Sequence, residues 1–281
     1  GNVIPGLGES ALGGLEKILG APVPERPADA VDYYQYCTAI PIATALAQTW
    51  DRELLREAGD IVGGEMEEFG VALWLAPGMN IQRNPLCGRN FEYYSEDPVL
   101  SGLCAAAETE GVQAHPGCGA TIKHFAMNNL EDNRSHNNSH CCERAIREIY
   151  LKGFQIAVRQ AAPLALMTSY NLLNGIHTAN HYELLTSILR DEWGFNGLVM
   201  TDWGTTGGGD LNPAMDAKYG ASDPAGCIRA GNDLIMPGSQ QDVDALAAAL
   251  RQGTLTKAEL QACAMRVLAL VRNRQMRRAC Q

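Results

Sequence analysis

The sequence predicts an α/β fold, a TIM-like (β/α) barrel without a clear first strand, on three observations. Short apolar runs alternate with stretches whose apolar positions recur every three or four residues. That is the pattern of strands buried on both faces with helices between them. Polar, chemistry-bearing residues cluster just after the strands, where parallel α/β proteins place their functional groups. The 281 residues also suit one barrel of about 250 residues. An open doubly wound sheet is the alternative. No Gly-rich phosphate turn follows any strand, which disfavours its dinucleotide-binding version.

Residues 1–36 are rich in Gly, Pro and Ala, match no element, and are read as a separate N-terminal segment; 37–281 are read as one domain. Ala43, Leu46, Trp50, Leu54, Ala58, Ile61 and Val62 space an amphipathic helix, or two abutting ones, up to Gly70. Val71–Pro77 is a short strand ended by its proline, and a long polar loop follows to Asp97. Helix is expected over 98–113, strand over 120–126, an Asn-rich loop to 138 and a long helix over 141–160. Strand 164–170, helix 182–193 and strand 197–202 come next. A Gly-rich loop then leads through a short helix near Pro224 to a last strand at 232–237. Helices over 241–251 and 257–274 close the chain.

Composition narrows the function. With 22 basic and 32 acidic residues the net charge is −10, which argues against nucleic acid and anionic membranes as partners. No apolar run approaches the roughly 18 residues of a membrane span, and Gly1 onward lacks the pattern of a signal peptide. Nine cysteines without C-x-x-C spacing suggest free thiols in a reducing compartment, so a cytoplasmic location is expected. No cofactor or metal is expected: His124, His136 and His140 match no compact ligand spacing.

The strand ends carry the chemistry. Gly197–Gly204 closes on Asp202 and Trp203, either a reacting acid beside an aromatic plate or an Asp capping the next helix. The loop after strand 71–77 carries Arg83, Arg89, Asn90 and Glu92. Strand 120–126 carries Lys123 and His124, and its loop carries Glu131, Asp132 and Arg134. Strand 164–170 ends in Ser169 and Tyr170. In a barrel these converge on one face. One carboxylate among cations, a histidine and aromatics suits a neutral polyhydroxylated ligand. The cations are expected to hold Asp202 ionised, as a nucleophile requires. Glu92 reads as a structural partner of a nearby arginine rather than as an acid.

Residues 76–204 resemble the catalytic barrel of glycoside hydrolase family three, of the bacterial β-glucosidase type. The resemblance rests on Ala76–Pro98, Lys123–Phe125, Asn128–Arg134, Met167–Gly175 and Leu184–Gly204. It implies that Asp202 is the nucleophile of a retaining double displacement on terminal β-D-glucosyl residues. It also implies that Arg89, Lys123, His124 and Arg134 grip the sugar's hydroxyls, that Tyr170 lies beside the nucleophile, that Met167 lines the pocket, and that Trp203 flanks the aglycone. Two departures stand out. The family's acid/base glutamate comes from a second domain, for which no residues remain here, so a further domain or a partner chain is expected to supply it. The Asp-Gly-Pro run that ends the family's first strand has no counterpart between Gly20 and Tyr36; Asp29 and Asp32 stand in other contexts. A sugar-binding barrel without chemistry is therefore an alternative. Another is a β-N-acetylglucosaminidase-like enzyme using His136, which has Arg134 where that type has an orienting Asp.

Overall fold

The computed structural model of the protein describes residues 36–135, 137–207 and 219–279. Most of the N-terminal segment, with Asp29 and Asp32, and also His136, Gly208 and Gly209 lie outside the described residues. The first helical stretch divides into α1 (Ala43–Ala47) and α2 (Arg52–Glu68). Trp50, with φ 56°, turns the chain between them, and the Asp51 side chain caps α2 by accepting from the Glu53 and Leu54 amides at 3.0 and 3.3 Å. A second long helix, α3 (Pro98–Gln113), starts from the same device, with Asp97 as cap and Pro98 in the first turn.

The strands β1 (Leu73–Trp74), β2 (Gly119–Phe125), β4 (Ala165–Thr168) and β7 (Leu198–Met200) pair in parallel, each with the next. Leu234 continues the row by a parallel bridge to Met200. A doubly wound sheet reverses its strand order part-way; this one only advances, as a barrel wall does. Several strands are shorter than their apolar runs, so Ser169, Tyr170 and Asp202 stand past the last paired residues, free to face a site.

Two layers cover the wall. Ile122, Phe125, Leu166 and Val199 pack outward against the helices in one large core. Ala165, Met167, Leu198, Met200 and Met236 pack on the inner face with Leu73, Leu75, Val267 and Leu270. The last two belong to the closing helix, α8 (Lys257–Ala279). On the outer side α2 and α3 touch backbone to backbone. A Cβ on Gly59 would lie 2.2 Å from the Glu108 carbonyl oxygen, and one on Gly111 2.1 Å from that of Arg56. Those two glycines set the approach.

Two features were not expected. A hairpin, β5 (Leu172–Leu173) and β6 (Ile176–His177), turns through Asn174 and Gly175 at φ 50° and 92°, and β3 (Asn138–Ser139) joins β5. Its signal was present: Asn-Gly between apolar pairs is the sequence of a tight hairpin turn. Residues 182–193, expected as an ordinary helix, form a π-helix over Glu183–Glu192, and the helix of 141–160 contains a π-turn over Ile146–Tyr150.

Candidate active site

The bent end of β2 makes the site possible. In a regular strand Lys123 and His124 would face opposite sides of the sheet. Here Ile122 pairs with Leu166 and Phe125 with Thr168, so β2 carries one residue more than its partner across this interval. The resulting bulge re-aims the two side chains. Asn80 holds it: its amide nitrogen donates to the His124 carbonyl at 2.8 Å, and its oxygen accepts from the His124 amide at 2.7 Å. The loop after β1 is thereby tied to the strand that carries the cations.

Asp202 is 7% exposed. Residues 203–207 after it form turns and no helix starts there; its Oδ1 accepts the Trp203 amide at 2.7 Å, so Asp202 does not cap a helix at its own position. The other oxygen, Oδ2, lies 3.7 Å from His124 Nε2, too long for a hydrogen bond. His124 is 1% exposed, and burial holds its pKa well below the ordinary range, helped by Arg89, Lys123 and Arg134. It is therefore neutral. Its Nδ1 lies 3.3 Å from the Tyr93 hydroxyl, and its Nε2 is turned towards Asp202.

The cations do not act on Asp202 alone. Glu92 binds Arg89 Nε through one oxygen and stands 3.4 Å from Lys123 Nζ through the other. Glu131 accepts from Arg134 Nη1 at 2.8 Å and from Asn128 at 2.9 Å, and lies 4.0 Å from Arg89 Nη1. Lys123, Glu92, Arg89, Glu131 and Arg134 thus form an alternating ladder of charge. Three cations face three carboxylates, Asp202 included, and little net positive charge is left over. The three cations do favour the ionised form of Asp202, as expected, but burial opposes them. Burial is the largest influence, and it raises the Asp202 carboxyl above its usual value despite the Trp203 amide and the three cations.

The remaining sequence-derived residues fall around this centre. Tyr170 donates its hydroxyl to the Trp203 carbonyl at 2.7 Å, and its ring lies under Arg134, 4.6 Å from the guanidinium carbon. Burial and the nearby Asp202 charge raise its pKa. Trp203 presents a partly open ring, 38% exposed. Met167 is buried at 2% in the inner core, so it forms packed floor rather than open wall. Glu92 is the ion-pair partner that its neighbourhood suggested. Tyr93 and Asn80 were missed, although both lie in the quoted loop motif; their roles depend on the bulge, which no spacing announces.

A family-level comparison decides the lineage. The description "Glycosyl hydrolase family 3 N terminal domain" matches residues 30–270. The chain belongs to glycosyl hydrolase family 3. The strand row above is part of the TIM-like barrel of that family's N-terminal domain. A β-glucosidase of Rhizobium radiobacter is 45% identical over 232 residues, covering 82% of this chain and 26% of that protein. An exo-α-(1→6)-L-arabinopyranosidase of Bifidobacterium longum is 43% identical, covering 83% and 29%. The crystallised β-glucosidase 3B of Thermotoga neapolitana in complex with α-D-glucose is 45% identical, with a TM-score of 0.78 over 88% of this chain and 33% of that one. This chain thus spans about a quarter to a third of the length of these family 3 proteins.

Proposed function

We propose that this chain is the barrel part of a retaining β-glycosidase, β-glucosidase-like, with Asp202 as nucleophile. One observation carries the reading. Asp202 is the carboxylate of the cluster that no Arg or Lys ion-pairs among the described residues; the Trp203 amide holds its Oδ1, and its Oδ2 faces His124 Nε2 at 3.7 Å. Oδ2 would attack the anomeric carbon as the bond to the leaving oxygen breaks, giving a glycosyl ester on Asp202. Water then attacks the same carbon and releases Asp202. His124, Arg89, Lys123 and Arg134 would hydrogen-bond sugar hydroxyls, with Met167 beneath them, Tyr170 beside the nucleophile and the Trp203 plate on the aglycone side.

The acid is the missing part. A retaining pair needs a second carboxyl about 5–5.5 Å from the first. Glu92 and Glu131 are both engaged by cations, so neither offers a proton. In this reading Glu92 and Glu131 serve as ion-pair partners, the acid comes from a further domain or partner chain, and residues 37–281 are one domain of a longer enzyme. Cys37, Cys87, Cys104, Cys141, Cys142, Cys227 and Cys263 are free thiols, which supports a reducing, cytoplasmic setting. No helix among those residues is long and apolar enough to cross a membrane.

The test uses an aryl β-glucoside with a good leaving group, which needs little acid assistance, and the longest polypeptide the native gene encodes. Wild type should turn over and Asp202→Asn should not, while both unfold alike. A 2-deoxy-2-fluoro glucoside should trap an adduct on the Asp202 peptide. Full activity of Asp202→Asn would sink the nucleophile. Glucose binding without hydrolysis in the wild type would favour the second reading, a sugar-binding barrel, which the engagement of Glu92 and Glu131 also supports.

A further inference from the structure

The ion ladder has a property that sugar recognition alone does not explain. Its two arginines come from different loops, Arg89 from the one after β1 and Arg134 from the one after β2, and no backbone hydrogen bond joins their own positions directly. A guanidinium on a loop has several free rotamers, and ordering it costs free energy on every binding event. Glu131 is the group between them. It accepts from Arg134 Nη1 at 2.8 Å, lies 4.0 Å from Arg89 Nη1, and is itself held by Asn128 at 2.9 Å. Asn128 is 1% exposed, so the anchor is rigid. On the far side Arg134 rests on the Tyr170 ring.

We infer that Glu131 is a positioning residue, a carboxylate clip that fixes Arg89 and Arg134 relative to each other before substrate arrives. This rests on the reading of the pocket as a glycosidase subsite. The clip has a second consequence. Asp202 is faced by Arg89 from the first loop, Lys123 and His124 from β2, Arg134 from the second loop, and Tyr170 from beyond β4. Removing the Glu131 charge leaves one uncompensated positive charge among them. That favours the ionised form of Asp202.

Two variants separate charge from reach. Glu131→Gln keeps the shape and loses the charge; Glu131→Asp keeps the charge and shortens the span. Glu131→Gln should raise KM for an aryl β-glucoside about tenfold or more, since the bond from Arg134 loses its charge assistance and the ion pairing with Arg89 is lost. It should leave kcat within about threefold, because sugar hydroxyls are bound in ground and transition states alike. The acid limb of kcat/KM should move to lower pH. Glu131→Asp should also raise KM but leave the acid limb in place. A fall in kcat with KM and the limb unmoved, or no change at all, overturns the clip. A crystal structure of Glu131→Gln provides a readout independent of turnover. The clip requires Arg134 to leave the Tyr170 ring, and Arg134 still stacked there overturns it. If the wild type hydrolyses nothing, the glycosidase reading fails on its own, and that crystal structure still decides the clip.

Discussion

Glu108 offers the sharpest stability test. It sits in the middle of α3, 5% exposed, with the Tyr94 hydroxyl donating to its Oε2. Desolvation pushes its carboxyl up to about 7 from an ordinary 4.5, against the smaller opposing effect of the Tyr94 bond. The folded chain therefore keeps this proton between about pH 4.5 and 7, while the unfolded chain releases it. With more protons bound in the folded state, stability falls as pH rises through that window and levels off above it. A gap of two to three pKa units corresponds to about 3 kcal/mol. Glu108→Gln is neutral at every pH and can still accept from Tyr94. Its urea midpoint should match wild type near pH 4 and exceed it above pH 7.5, by up to about 3 kcal/mol of stability. Taking the difference between the two proteins cancels the other titrating groups. A difference that stays flat from pH 4 to 8 would show that Glu108 ionises as it does in water, and would refute the argument from burial.

Other consequences are simpler. Asp233 has a fully buried side chain that accepts from Arg190 at 2.8 Å, Arg266 at 2.6 Å and the Val199 amide at 2.8 Å, so Asp233→Ala strands a buried guanidinium. It should cost about 3–5 kcal/mol in chemical denaturation; a loss below about 1 kcal/mol would contradict the pairing. Gly111→Ala drives a Cβ into the Arg56 carbonyl and should destabilise by about 1–3 kcal/mol or abolish folding, read by the thermal midpoint; an unchanged midpoint would show that the helices can separate freely. Tyr170→Phe keeps the ring under Arg134 and loses the bond to the Trp203 carbonyl, so kcat/KM should fall by about tenfold with little change in stability, whereas Tyr170→Ala should lose more. In the wild type the acid limb of kcat/KM, which reports free Asp202, should lie above pH 3.8, since burial raises its pKa; a limb below that value would show that the cations outweigh burial after all.

The fold was legible wherever the chain obeys a period. Leu198–Met200 and Ala165–Met167 are apolar because both faces of a parallel strand are covered, and the helices between them declare themselves at three- and four-residue spacing. What the pattern overstated was strand length. Apolar side chains continue past the last ladder bond, since burial by helices does not require pairing: Leu75 is partly buried in the inner layer after β1 has ended at Trp74. What it missed was local chemistry that serves a distant partner. His115 resembles an ordinary surface residue, yet it bridges Asp60 at 3.0 Å and Glu67 at 3.2 Å, both far away in sequence.

The site shows a different boundary between what residue types reveal and what geometry adds. Arg89, Lys123, His124, Arg134, Tyr170, Asp202 and Trp203 can be picked out because strand ends gather polar groups on one face. Their electrostatics cannot, because pKa depends on the count of charges within reach and on who already holds them. Four positive or potentially positive side chains beside one acid suggested an ionised Asp202. Burial makes His124 neutral, and the burial of Asp202 itself outweighs the Trp203 amide and the three cations, so the sign of the shift reverses. A pocket built this way has little net charge to attract ions, but it keeps an ordered set of donors. That is what an uncharged sugar requires: hydroxyls are recognised by fixed hydrogen-bond geometry, and an excess of positive charge would instead favour anions. Under the proposed function, Glu92 and Glu131 would thus favour neutral ligands by pairing the cations of the site.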